Sequence, residues 1–184
     1  RAYEDLGLVQ RAADLVQRTA RAWPDRAEVQ REAARLARRQ ERVRDSVALL
    51  RVAVALRHDD LESRRMLVAA LLDLGDVEGA LKEQREVNAL DPWDVRGWLR
   101  LGESAGVNGR PDEARAAFAR AAELAPEEAE VFERQGHALS RLGDTAGALA
   151  ALSRSLALKP QNPQVKEALK TLRREGRGFG EEFA

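Results

Sequence analysis

The sequence predicts an all-α protein assembled from repeated helix pairs. A strict spacing of 34 residues between turn-forming residues predicts it, together with helical-period apolar stripes and a composition rich in strong helix formers. Gly7, Gly75, Gly109 and Gly143 keep that register, with Glu41 in the skipped slot. Pro24, Pro92, Pro126 and Pro160 keep it too, with His58 in the same unit's gap. Ala12, Ala80, Ala114 and Ala148 keep it a third time, with Ser46 replacing alanine. Independent residue types sharing one period argue against a generic helical bundle, which has no reason to hold a fixed spacing.

Each part of the unit has a physical task. Trp98, Leu101 and Ala105 line one face of a first helix. Asn108-Gly109 ends that helix, because glycine accepts the positive φ of a tight turn. Pro111 and Asp112 suit the first turn of a second helix, which Ala114, Phe118 and Ala121 line with small and large side chains. Pro126 closes the unit.

Trp98-x-x-Leu101-Gly102, then Ala114-x-x-x-Phe118, then Pro126, closely resembles the tetratricopeptide repeat pattern. Ala105 departs from it, standing where the family carries Tyr; Tyr3 fills that slot in the first, partial unit. The resemblance implies a right-handed superhelix, an α-solenoid of antiparallel helix pairs, with about four and a half repeats. Residues 1–26 read as the end of a first helix plus a complete second helix. Units follow at 27–60, 61–94, 95–128 and 129–162. The unit 27–60 is degenerate, lacking Gly, Ala and Pro together. Residues 163–175 read as a capping helix, with Asn162 and Pro163 at its start and Val165, Ala168, Leu169 and Leu172 as its apolar stripe. Residues 176–184 read as a flexible tail. The ending resembles junctions where a bacterial repeat array leads into a further domain. The chain starts at Arg1, not Met, and reads as a piece of something longer.

Composition narrows function. Basic and acidic residues balance at 31 each, so nucleic acid is not expected as a partner. There is no Cys, which excludes disulfides and thiolate metal sites. Apolar stretches are too short for a bilayer span, and no signal peptide opens the chain. A soluble protein of the bacterial cytoplasm or periplasm is expected, with the compartment unassigned. His58 and His137 lie in different units without ligand-spaced partners. Gly102, Gly106 and Gly109 lack the preceding strand and the Lys-Ser/Thr pair of a phosphate loop. No enzyme, metal or cofactor is expected.

The family resemblance implies that first helices line a concave groove that binds a peptide or partner segment. Groove positions would include Arg31, Arg35 and Arg38 in one unit and Arg65 in the next. Leu99 and Glu103 follow, then Glu133 and His137. Arg31, Arg35 and Arg38 share a helix face, and guanidinium forks suit carboxylates, so an acidic segment is the expected ligand of the N-terminal half. The bland alternative is a solvated face in a chain where Arg outnumbers Lys by 27 to 4. Some members clamp a C-terminal carboxylate with Lys and Asn; here Met66 and Arg100 stand where an Asn would be sought, and no Lys lines the groove. Two rivals remain: a structural or oligomerisation segment of a larger protein carrying an enzyme domain, and an RNA-binding helical repeat. The slots Arg35, Ala69, Glu103 and His137 lack the regularity of an RNA code. The helix carrying Ala12, Leu15, Val16 and Ala20, with Trp23, would lack a partner, so a homodimer through it is expected.

Overall fold

A computed structural model describes residue 14 and residues 18–181, with side chains through Arg174. The chain divides into two compact units, Arg1–Pro92 and Trp93–Ala184.

In the first unit a helical turn at 18–22 precedes α1 (Ala27–Arg39), α2 (Val43–Leu56), α3 (Leu61–Leu74) and α4 (Val77–Leu90). α1 packs on α2, α2 on α3, and α3 on α4. Val47, Leu50, Val54, Leu67, Leu71 and Val87 form the core, with Ala34, Ala70 and Ala80 where helices approach closely. Asp60 starts α3 by accepting from the Ser63 amide at 3.2 Å and its hydroxyl at 2.7 Å. Asp76 starts α4 by accepting from the Gly79 amide at 2.9 Å. Both satisfy donors that a helix N-terminus otherwise leaves orphaned.

The degenerate unit forms an ordinary helix pair. Glu41 takes φ 60°, the left-handed conformation that Gly75, Gly109 and Gly143 take at the same place in their units. The Arg42 amide donates to the Ala37 carbonyl and the Glu41 amide to Arg38. The same pair of bonds recurs at Gly75, Gly109 and Gly143, so all four turns are Schellman closures. Ser46 occupies the alanine slot fully buried, and its hydroxyl has no hydrogen-bond partner.

The second unit holds α5 (Val95–Val107), α6 (Pro111–Leu124), α7 (Ala129–Arg141), α8 (Thr145–Leu158) and α9 (Pro163–Glu181). Its paired helices touch through glycine. A Cβ on Gly102 would lie 2.9 Å from the Phe118 ring, and one on Gly136 would lie 2.5 Å from the Leu152 side chain. Phe118 and Leu152 are fully buried as a result. Of the expected apolar stripe of α5, Leu101 and Ala105 are buried and Trp98 is only half-buried; Gly97, Leu99 and Gly102 take the other buried positions. Val165, Leu169 and Leu172 seat α9 on α8. Asn162 caps it, accepting from the amides of Gln164 and Val165 at 3.1 and 3.2 Å. The sequence predicts an end at residue 175, but the helix continues to Glu181. The glycines beyond 175 weaken a helix by about 1 kcal/mol each without breaking it, whereas a proline would. Residues 182–184 of the expected tail lie outside the described residues.

Candidate functional site

The face built by the first helices of the first unit carries the arginine stripe. Arg31 projects from α1 to the cap of α3, its Nη1 2.7 Å from Asp60 and its Nε 3.5 Å from Glu62. Arg35 donates to Glu62 at 2.6 Å and lies 3.0 Å from Glu32. Arg38 donates through Nε to Asp73 at 2.7 Å. The expected stripe is therefore a ladder of ion pairs that ties α1 to α3. Arg31 is 17% exposed and belongs to the structure of the pair, whereas Arg35 and Arg38 are each 42% exposed. Burial pushes the Asp60 carboxyl up, but hydrogen bonds from Ser63 and the charge of Arg31 outweigh it and hold it below its ordinary value.

Arg35, Arg38, Arg39, Glu62 and Met66 line an open recess of about 410 Å³. Arg39 contributes a guanidinium with no carboxylate within ion-pair distance among the described residues. Periodicity missed Arg39 because it falls one residue past the Arg31/Arg35/Arg38 stripe. Arg65 lies on α3 beside Asp91 at 2.9 Å.

In the second unit, Arg134 grips both oxygens of Glu103 at 2.8 Å, a fork that joins α7 to α5. Glu133 accepts from the Asn162 side chain at 2.9 Å. Arg31–Asp60 and Glu133–Asn162 occupy one register: each joins the fifth residue of a first helix to the residue that caps the helix opening the next repeat register, α3 or α9. Leu99 holds that same fifth position in α5 and is 2% exposed. It is core, and the expectation that it lines a groove is corrected. His137 lines a recess of about 370 Å³ with Ser140, Gln164, Glu167 and Thr171. Among the described residues no cluster of His, Asp and Glu is able to hold a metal ion, and no helix is long and apolar enough to cross a membrane.

Of the sites expected for self-association, Leu15 and Val16 lie outside the described residues. Trp23 is 53% exposed, with the Arg26 guanidinium 5.8 Å over its ring.

The sequence profile described as "Tetratricopeptide repeat" matches residues 1–60 and 99–163. The chain belongs to the tetratricopeptide repeat family. Solved structures agree on the fold. MamA superimposes with a TM-score of 0.71 at 17% identity, covering 86% of this chain and 92% of that one. A MamA fragment from Desulfovibrio magneticus RS-1 gives 0.68 at 18%, covering 85% and 89%. YrrB, described as "a TPR protein with an unusual peptide-binding site", gives 0.74 at 19%, covering 91% and 86%. No curated protein matches the sequence. At these identities the tetratricopeptide fold is shared, and the side chains on the first-helix faces are this chain's own.

Proposed function

We propose that this tetratricopeptide chain is a protein-interaction scaffold, without catalysis of its own, that holds an acidic segment of a partner protein. The carrying observation is the recess of Arg35, Arg38, Arg39, Glu62 and Met66. Arg39 is free of ion pairs among the described residues, and Met66 supplies an adaptable apolar floor. The carboxylates that occupy Arg35 and Arg38 belong to exposed side chains, with Glu62 at 54% and Asp73 at 42%. Such pairs contribute about 0.2–1 kcal/mol each, so a partner's carboxylates exchange with them at little cost. Binding is consequently modest and salt-sensitive. YrrB, whose fold the chain shares, is described as having a peptide-binding site, which supports a peptide as the ligand class.

Fluorescence anisotropy of an acidic peptide library at low and high salt tests the reading. The parent is expected to bind and an Arg35→Glu/Arg38→Glu variant to lose binding. Equal binding by both removes the stripe from consideration, and tighter binding of RNA than of any acidic peptide favours the nucleic-acid rival.

A second reading, self-association, rests on exposed Trp23, which lines a recess of about 350 Å³ with Thr19, Arg26, Glu28 and Val29. Light scattering over a concentration series decides it; a strict monomer at every concentration ends it.

A further inference from the structure

The first helices of the second unit show what their repeat positions do. Position four of the unit holds Trp98 in α5 and Phe132 in α7, position eight holds Gly102 and Gly136, and position eleven holds Ala105 and Leu139. The glycines at position eight show the direction this face points. A Cβ at Gly102 would meet Phe118 of α6, and one at Gly136 would meet Leu152 of α8. This is the face that receives a second helix.

In α9 the same positions carry Lys166, Lys170 and Arg173. All three are exposed, as is Arg174. Together with Leu156 of α8 and Leu169 they line a recess of about 370 Å³. The only carboxylate within ion-pair distance among the described residues is Glu167, 3.6 Å from Lys170. A helix-receiving surface thus presents half-buried Leu156, beside the core residue Leu169, beneath four cationic side chains, with Glu167 the one carboxylate paired to them among the described residues.

We propose that this recess is a docking slot for an acidic amphipathic helix of a partner protein. A neutral apolar helix would bury the lysine and arginine heads, which is costly without counter-charges. A helix with carboxylates flanking a small-residue stripe supplies those charges and still covers Leu156. Nucleic acid fits less well, because among the described residues no aromatic side chain lines the recess for base stacking.

The probe is a synthetic peptide with the α6 sequence carrying Arg115→Glu, Phe118→Glu and Arg120→Glu. It keeps the alanine stripe and places a carboxylate opposite Lys170, where the natural ring faces glycine. Anisotropy of the labelled peptide is measured against the whole chain. The expected result is salt-sensitive binding that weakens about tenfold with Lys170→Glu/Arg173→Glu and is unchanged by Arg35→Glu/Arg38→Glu. Lys166→Gln/Lys170→Gln gives a smaller loss, and circular dichroism checks that each variant remains helical. The proposal is overturned if the peptide does not bind, if the charge-reversed variant binds equally, or if a scrambled peptide of the same composition binds as well. Displacement of the peptide by single-stranded RNA or by phosphatidylserine vesicles at lower concentration also overturns it, assigning the surface to an anionic polymer or membrane.

Discussion

Replacing Glu41 by glycine should stabilise the protein. Glu41 sits at φ 60° in a turn whose counterparts are Gly75, Gly109 and Gly143. An L-residue in the left-handed region costs about 1–2 kcal/mol. Glycine removes that penalty but adds about 0.5–1 kcal/mol of chain entropy lost on folding. The net gain is about 0.5–1 kcal/mol. The Glu41 side chain is exposed and makes no ion pair or hydrogen bond among the described residues, so no contact is lost. Its negative charge is removed, however, near Arg38, Arg39, Arg42 and Arg44. Glu41→Ala separates the two effects, because alanine loses the charge yet keeps the strain. The mirror experiment is Gly109→Ala: a Cβ there meets nothing within 4 Å, so its cost is conformational alone and about the same size. Native-state hydrogen exchange on α1 and α2 is the suitable assay, since repeat proteins open locally and global denaturation averages over units. Slower exchange in Glu41→Gly than in both parent and Glu41→Ala is expected. If glycine is no better than alanine, the turn at Glu41 is not strained.

Other predictions come from the packing and the caps. Ser46→Ala removes a buried hydroxyl without a partner and should raise stability by about 1 kcal/mol in urea titration; destabilisation would mean the hydroxyl is satisfied. Gly136→Ala drives a Cβ to 2.5 Å from the Leu152 side chain and 3.2 Å from its backbone nitrogen, so a loss of about 1–3 kcal/mol is expected, larger than for Gly109→Ala. The Gly147 amide, and then Arg115, hold the Asp144 carboxyl below its ordinary value. A depressed folded pKa stabilises above the unfolded value of about 3.9 and is lost as pH falls through the folded value. Asp144→Asn keeps a capping side chain but removes the titration, so its stability should fall less steeply than the parent's below about pH 4.

Much of the fold is legible in the sequence because the repeat is a local device. A glycine in the turn, an aspartate at the cap and an alanine at a close contact each act within a few residues of their own position. Glu41 and Ser46 break the pattern in one unit without breaking the helix pair, since a strained turn and an unsatisfied hydroxyl are tolerated where neighbours supply the packing. The site was less legible because charge is settled between units. On α1 only Arg35 has a carboxylate partner, Glu32, whereas Asp60, Glu62 and Asp73, which pair with Arg31, Arg35 and Arg38, lie at the cap of α3 or on it. Pairing separations of 29, 27 and 35 residues follow no helical period. Leu99 shares the register of Arg31, so one repeat position is apolar core in one unit and an inter-helix ion pair in another, which periodicity alone does not distinguish.

Hydrogen exchange of the whole chain, with and without the tightest peptide from the acidic library, tests the central claim most directly. Binding at the arginine recess should slow exchange along α1 and α3, and Arg35→Glu/Arg38→Glu should abolish that protection while leaving the free-state pattern intact. Protection confined to other helices, or none at saturating peptide, would contradict the account.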